Sequence, residues 1–308
     1  MHGTSERTKF ARVVAKIDPT ASLLKTWSLR GGISNPMTAL EIELENGKTK
    51  RMIVRQPEGA MRDDPRAATN EFRLLQLLIS AGLPVPEPRL LDESAEIFPE
   101  PYLVVEYIDG EPDCAPADVS DFISQLAARL VEIHRVDADV TWLPPYTPRF
   151  IHHRSIRATP HHSLDVGRIR AALASEWPAR QRNPSVLLHG DYWPGNVLWK
   201  DARITGVIDW EESCIGDPMT DLAITRLEMV WAFGMEAMHE FTRRYQSLSG
   251  FDLGDLPYWD LDAALRPVFN IDEWAAGWPD LGRSDVTEAT LRVGHRQFVG
   301  QAFDALLA

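Results

Sequence analysis

The hydrophobic pattern of this chain changes near Gly110, and this change constrains the fold more than any other feature of the sequence. Before it, two alternating apolar runs flank Asn46-Gly47, a dipeptide that is a strong hairpin signal. After it, apolar residues from Val119 to Ile133 recur at helical spacing and predict an amphipathic helix that ends near His134. The order of these patterns predicts an α+β fold, β-rich first and mainly helical afterwards.

The other predicted elements fit this division of the chain into residues 1–107 and 108–308. We expect a helix over residues 5–17, a helix that Asp64-Pro65 opens and Gly82 closes, and a strand at each of residues 89–91 and 101–108. Residues 137–165 are rich in Pro, His and Arg, which predicts irregular structure. From Asp217-Pro218 onward the pattern is again mostly helical, with an interruption over residues 249–257.

Composition excludes several classes of protein. The chain has 308 residues, 44% of them hydrophobic, which is ample for a sizeable core. No apolar run approaches the roughly 20 residues that a membrane helix needs, and the first residues have no pattern of a secretion signal. Cys114 and Cys214 do not form a disulfide framework or a metal-binding spacing. We therefore expect a cytoplasmic protein without a membrane partner.

The net charge of −13 argues against a nucleic-acid partner, because phosphate backbones require a basic surface. A clustered negative field would attract a cationic small molecule, whereas dispersed acidity would only keep the protein soluble. Composition alone does not separate these two interpretations, and the sequence leaves the oligomeric state open.

The segment from Leu187 to Trp210 carries the most chemical information. Two short apolar strands flank the polar turn at residues 200–203 and predict a hairpin. Asp191 and Asn196 lie in the loop before this hairpin, and Asp209 lies at its exit. Pro194-Gly195 turns the loop, which favours an approach of the Asn196 amide to the Asp191 carboxylate.

These residue types meet the requirements of phosphoryl transfer. One carboxylate must accept the proton of an attacking hydroxyl, and hard oxygen ligands must hold Mg²⁺ against the phosphates. Protein kinases use the same spacing, His-x-Asp-x-x-x-x-Asn, with a second Asp downstream. On this pattern Asp191 is the base, Asn196 and Asp209 are Mg²⁺ ligands, and His189 braces the loop rather than transferring a proton. Alternatively, each is an ordinary turn residue.

The segments His189-Gly190-Asp191, Ile208-Asp209-Trp210 and Gly216-Asp217-Pro218 resemble the aminoglycoside phosphotransferase family, which also includes macrolide, choline and homoserine kinases. The resemblance extends from about residue 27 to residue 246. It implies a two-lobed protein-kinase-like fold, with a β-rich N-lobe that binds ATP, a hinge, and a helical C-lobe with the catalytic loop and acceptor site. The implied reaction transfers the γ-phosphoryl group of ATP to a hydroxyl group of a small molecule.

The residues predicted to bind the nucleotide have weaker sequence signals. The turn at Gly31-Gly32-Ile33-Ser34-Asn35 is placed to let its backbone approach phosphates, with Gly31, Gly32, Ser34 and Asn35 as candidate contacts, although it is not a G-x-G-x-x-G motif. Arg55 stands where kinase-like enzymes have a Lys, and Glu71 follows on the next helix. Arg can bind phosphate or Glu71 in a bidentate manner.

The resemblance also implies a hinge at the end of the strand over residues 101–108. There the adenine would bind backbone groups of Glu106 and Ile108.

Candidate acceptor-binding residues are acidic. Asp217, Asp260, Asp272 and Glu273 are candidates for a cationic acceptor, since the last three lie among Trp259, Phe269, Trp274 and Trp278. For Asp217 the competing role is capping the helix that follows Pro218. Asp221, one turn further on, either belongs to this helix start or faces the catalytic loop. The leading acceptor is an aminoglycoside or another amino-containing metabolite, and choline, homoserine and macrolides are alternatives.

Two other classes of protein compete with this interpretation. A nucleotide-binding pseudokinase usually lacks one of the residues that Asp191, Asn196 and Asp209 provide here. A protein kinase has an Ala-Pro-Glu signature and a long activation loop, and the span from Asp209 to Asp217 is too short for one.

Overall fold

The computed structural model describes residues 2–29, 37–56, 66–152, 164–177 and 182–307. The chain forms two compact units. The first contains residues 1–109 and 206–211, and the second contains residues 110–205 and 212–308. The sequence-based division after residue 107 assigned no later segment to the first unit. The segment at residues 206–211, which carries Asp209, packs with it.

The first unit is built on a five-stranded antiparallel sheet in the order β1-β2-β3-β5-β4. Its elements in chain order are helix α1 (His2–Ile17), strands β1 (Ser22–Ser28), β2 (Met37–Glu43) and β3 (Thr49–Arg55), helix α2 (Ala67–Ser80), and strands β4 (Pro88–Asp92) and β5 (Tyr102–Glu106). The predicted hairpin is confirmed. Gly47, at φ 76°, takes the left-handed conformation that the turn between β2 and β3 requires.

Alternation along the strands separates the two faces of this sheet. Leu40, Ile42, Met52 and Val54 belong to one hydrophobic cluster together with the apolar side of α1. Successive side chains of a strand point to opposite faces, so Arg55 points away from this cluster. Helix α2 begins at Ala67, and the predicted opening at Asp64-Pro65 lies outside the described residues.

Most of the second unit is helical. Its elements are strand β6 (Glu111–Pro112), helices α3 (Val119–His134), α4 (Arg149–His152) and α5 (Val166–Glu176), strands β7 (Val186–Leu188), β8 (Val197–Lys200), β9 (Arg203–Val207, whose last two residues belong to the first unit) and β10 (Cys214–Gly216), and helices α6 (Met219–Phe233), α7 (Met235–Ser249), α8 (Leu256–Ala263), α9 (Ile271–Gly277) and α10 (Glu288–Leu307). Helix α6 is buried on all sides, because α7, α8 and α10 all pack against it.

The structure confirms the predicted helix over residues 119–134, the hairpin of β8 and β9, and the helical region after Asp217-Pro218 with its interruption. One prediction was wrong in part. Residues 137–165 were expected to be irregular, but residues 149–152 form one helical turn. Asp262 fixes this turn by accepting hydrogen bonds from the backbone N–H groups of Arg149 and Phe150. Within the described ranges, no helix has both the length and the hydropathy to span a lipid bilayer.

Candidate active site

The loop between β7 and β8 brings Asp191 and Asn196 together. Pro194–Asn196 form a single 3₁₀ turn, which directs the Asn196 side chain back toward the start of the loop. Its Nδ2 donates hydrogen bonds to the Asp191 backbone oxygen and to Asp191 Oδ2, both over 2.9 Å. The expected approach of the amide to the carboxylate is therefore present. Because the amide nitrogen makes both contacts, the amide oxygen of Asn196 is directed away from Asp191.

Asp221 fixes the beginning of this loop through hydrogen bonds to its backbone. It is fully buried in the first turn of α6 and accepts hydrogen bonds from the backbone N–H groups of His189, over 2.7 Å, and Gly190, over 2.8 Å. His134 Nε2 lies 3.2 Å from Asp221 Oδ2. Burial by itself raises the pKa of Asp221, but the hydrogen bond from His134 and the backbone donors outweigh it and lower the pKa. Of the two roles left open for Asp221, the structure shows the one that faces the loop.

The same loop has no room for a side chain at Gly190. Gly190 has φ 84°, and a Cβ at this position would lie 2.2 Å from the carbonyl oxygen of Glu212. His189 is fully buried, and its Nδ1 accepts a hydrogen bond from the Asp191 backbone N–H over 3.3 Å. These contacts are those of a brace, the role that the sequence analysis favoured for His189.

Arg266, which sequence reasoning missed, forms an ion pair with Asp191 through its Nη2. It follows α8, 75 residues after Asp191, and its guanidinium carbon lies 5.5 Å from the ring centre of Trp274. Burial lowers the pKa of Arg266, and the charges of Asp191 and Glu228 outweigh burial and raise it. No local motif in the sequence marks this residue.

Glu228 on α6 is the second charged residue that sequence reasoning missed. It is buried, and burial raises its pKa to about 8, against the opposing charge of Arg266.

The raised pKa of Glu228 predicts how stability depends on pH. The folded state holds a proton that the unfolded state releases above pH 4.5, so the stabilising contribution is complete below that pH and is lost as the pH rises to about 8. One such group contributes a slope of about 1.4 kcal/mol per pH unit. Between pH 5 and 8 the free energy of unfolding should fall with rising pH less steeply in Glu228→Gln than in the wild type. Urea titrations at a series of pH values measure this slope. The same change at the exposed Glu236 should leave the slope as it is, and equal slopes in wild type and Glu228→Gln would contradict the prediction.

In the first unit, Arg55 gathers three carboxylates. Its Nη1 lies 3.2 Å from Glu71 Oε1, and its Nη2 lies 3.0 Å from Asp209 Oδ1 and 3.6 Å from Glu211 Oε2. Burial lowers the pKa of Arg55, but the three negative charges outweigh it and raise the pKa. The predicted pairing of Arg55 with Glu71 is therefore present, and Glu211 is an additional partner that the sequence analysis did not identify.

Glu71 has an unusual environment for a carboxylate, and Asp209 has an unusual backbone conformation. Glu71 is buried, which raises its pKa, and its Oε1 makes no hydrogen bond of good geometry within the described part of the chain despite the nearby Arg55. Asp209 has φ 68°, a conformation that is uncommon for a residue with a side chain. Only Asp209 Oδ1 accepts from Arg55, so its second carboxylate oxygen takes no part in that bond.

The predicted hinge residues are placed at the end of β5. The Glu106 backbone N–H donates to the Glu87 carbonyl over 2.8 Å, so this N–H is already paired within the protein. The Glu106 carboxylate pairs with Lys50 and Arg89. Ile108 packs closely on Gly206, where a Cβ would lie 2.6 Å from Ile108 Cδ1. The four predicted phosphate-loop residues, Gly31, Gly32, Ser34 and Asn35, lie outside the described residues.

The acids predicted to bind a cationic acceptor fall into two groups. Asp217 and Asp260 are buried and have internal partners: Asp217 accepts from the Met219 backbone and from Asn183, and Asp260 forms a two-bond ion pair with Arg226. Their contacts favour structural roles. Asp272 and Glu273 are exposed in the first turn of α9.

The chain matches a known protein family over most of its length. The model of the phosphotransferase enzyme family matches residues 28–267, which is most of the chain and includes Arg55, Asp191, Asn196 and Asp209. The chain belongs to this family. The chain has the α+β fold that the sequence predicted, with a β-rich first part and a helical second part.

Individual relatives are distant. Acyl-CoA dehydrogenase family member 11 of Rattus norvegicus is 25% identical over 79% of this chain, and the chain spans 35% of its length. Homoserine kinase of Xanthobacter autotrophicus is 23% identical over 68% of this chain and 63% of its own length. A thermostable mutant of aminoglycoside phosphotransferase APH(4)-Ia, solved with AMP-PNP and hygromycin B, is 20% identical with a TM-score of 0.64, over 95% of this chain and 98% of that one.

Proposed function

We propose that this phosphotransferase transfers the γ-phosphoryl group of ATP to a hydroxyl group of a small molecule in a Mg²⁺-dependent reaction. The observation that carries the proposal is the pairing of Asp191 with Asn196 in a loop that Asp221 fixes through two backbone hydrogen bonds. A fixed carboxylate at a known place can orient an acceptor hydroxyl and take its proton, which is the main requirement on the protein in phosphoryl transfer.

Asp191 would act as the base. A carboxylate oxygen can accept more than one hydrogen bond, so Asp191 can receive the proton of the acceptor hydroxyl while Asn196 and Arg266 keep it oriented. His189 and Asp221 would hold the loop without contact with the acceptor, because both are fully buried.

The proposed Mg²⁺ ligands are Asn196 and Asp209. Each offers an oxygen that the hydrogen bonds described above do not use, and amide and carboxylate oxygens are donors that Mg²⁺ accepts. No group of three or more His, Cys, Asp and Glu suited to a metal occurs among the described residues. A set of one or two protein ligands is typical of Mg²⁺ that is also held by phosphates. Bound Mg²⁺ and ATP would supply the transferable phosphoryl group and the positive charge that neutralises its oxygens.

The remaining nucleotide contacts are proposals from the kinase-like pattern. Arg55, oriented by Glu71, would contact phosphate, and the backbone of Glu106 and Ile108 would hold the adenine. The turn residues Gly31, Gly32, Ser34 and Asn35 would approach the phosphates.

For the acceptor, the leading candidate from the sequence is an aminoglycoside or another amino-containing metabolite, followed by choline, homoserine and macrolides. The matched proteins support several of these, since one is a homoserine kinase and another was solved with hygromycin B. Asp217 pairs with Asn183 and Asp260 pairs with Arg226, so two of the four carboxylates that favoured a cationic acceptor already have partners inside the protein.

The test is ADP release from Mg²⁺-ATP across aminoglycosides, macrolides, choline, ethanolamine and homoserine. We expect turnover that depends on one acceptor class and disappears without Mg²⁺. Nucleotide binding without turnover of any acceptor would favour a pseudokinase that acts as an interaction module. A chain that binds no nucleotide would contradict the proposal.

A further inference from the structure

The guanidinium group of Arg266 has binding capacity that the described protein does not use. Its Nη2 pairs with Asp191, but its Nη1 is buried and makes no hydrogen bond to any described residue. Only 11% of the Arg266 side chain is exposed. Buried N–H groups of charged side chains are nearly always hydrogen-bonded, because a buried donor without a partner is costly.

The position of this unused donor is informative. Arg266 touches the same carboxylate, Asp191, that would take the proton of the acceptor hydroxyl. A group bound at Arg266 Nη1 and a hydroxyl bound at Asp191 would therefore be held by two side chains that contact each other. The ring of Trp274 lies beside the guanidinium, and an apolar neighbour of this kind strengthens charge interactions.

The charge of Arg266 selects the chemistry of the ligand. A guanidinium presents only donors, in a planar fork that matches a carboxylate, and it repels an ammonium group at the same distance. Of the four carboxylates predicted to attract a cation, Asp217 and Asp260 are occupied by partners within the protein, and Asp272 and Glu273 are exposed in the first turn of α9.

We propose that Arg266 binds a carboxylate group of the acceptor, so that the substrates of this enzyme are small hydroxy acids, including hydroxy amino acids such as homoserine. This proposal rests on the proposed function and narrows its acceptor. In it Arg266 has two partners at once, Asp191 and the acceptor carboxylate. Arg266 would thus set the distance between the carboxylate of the acceptor and its reacting hydroxyl.

The experiment compares acids with their primary amides, which have nearly the same shape but no charge. The probes are L-homoserine, D-glycerate and D-glucuronate, each paired with its amide. Binding is measured by calorimetric titration without nucleotide, and turnover by ADP release with Mg²⁺-ATP. We expect at least one acid to be preferred over its amide by about tenfold or more, because hydrogen bonds to charged groups are the stronger ones.

Variants assign that preference to Arg266. In Arg266→Met the ratio of acid to amide should fall close to one, and in Arg266→Lys it should fall only in part, because the charge remains but the planar fork is lost. The control is Arg292→Met, which removes an arginine paired with Glu288 on α10. Its ratio should equal that of the wild type. Because each ratio is taken within one protein, a partial loss of folded material in Arg266→Met does not change it.

Two results would overturn the proposal. One is a wild-type protein that prefers none of the three acids over its amide. The other is a preference that survives in Arg266→Met, including the case in which turnover of acid and amide falls equally, which would mean that Arg266 serves only Asp191 or the transferred phosphoryl group. A preference for an acid in binding without any ADP release would retain the carboxylate site and contradict the proposed function instead.

Discussion

Replacement of Asp191 by Asn should lower kcat for ADP release by about 10²–10⁴-fold, the usual contribution of general base catalysis. Asn keeps the size of the side chain and one oxygen that can accept from Asn196 or Arg266, but it does not take up a proton. The loop should therefore keep its conformation while the reaction loses its base. Steady-state kinetics with a saturating acceptor, together with circular dichroism to show normal folding, would measure this effect.

The matched control for this change is Asp201→Asn. Asp201 is exposed in the turn between β8 and β9 and has φ 51°, a conformation that Asn adopts readily. Its replacement should leave turnover within about twofold of the wild type, as expected for an exposed residue that makes no proposed contact with substrate. If Asp191→Asn lost less than tenfold, Asp191 would not be the base.

Replacement of Arg55 by Met should lower the free energy of unfolding more than any other replacement proposed for this protein. Arg55 pairs with Glu71, Asp209 and Glu211, and removal of one partner of a buried ion pair costs about 3–5 kcal/mol because the remaining charge stays buried. Arg55→Lys keeps the charge and should lose less. Urea unfolding of both variants near pH 7 measures the difference.

Arg89 provides the control on the same sheet. It pairs with Glu87 and Glu106, but its side chain is 31% exposed, and exposed ion pairs contribute only about 0–1 kcal/mol. Arg89→Met should therefore have a small effect. Equal losses in Arg55→Met and Arg89→Met would show that burial does not set the contribution of the Arg55 cluster.

The parts of this molecule that the sequence predicted are those with local signals. Hairpins with Asn-Gly or polar turns, and helices with a clear apolar period such as α3, follow from the residues of each element alone. The pairing of Asp191 with Asn196 was also predictable, because both residues lie in one short loop with a Pro-Gly turn.

The missed residues depend on contacts between distant parts of the chain. Arg266 reaches Asp191 across 75 residues, and Glu211 reaches Arg55 from the far side of the hairpin of β8 and β9. Asp260 was a candidate for binding a cationic acceptor, but Arg226 pairs with it inside the helical unit. A single sequence contains no periodicity or spacing that reports such pairs, because packing of the folded chain alone brings them together.

Because the first unit is discontinuous in sequence, its last contacts can form only late in synthesis of the chain. Its sheet ends at Glu106, but Asp209 and Glu211 come about one hundred residues later, and the Val207 backbone N–H donates to the Pro84 carbonyl. Domains generally fold from the N-terminus as the ribosome releases the chain. The sheet can thus form early, whereas Arg55 must wait for two of its three partners until residue 211 has emerged. A fragment that stops near residue 109 would keep the sheet and carry an unfinished charge cluster.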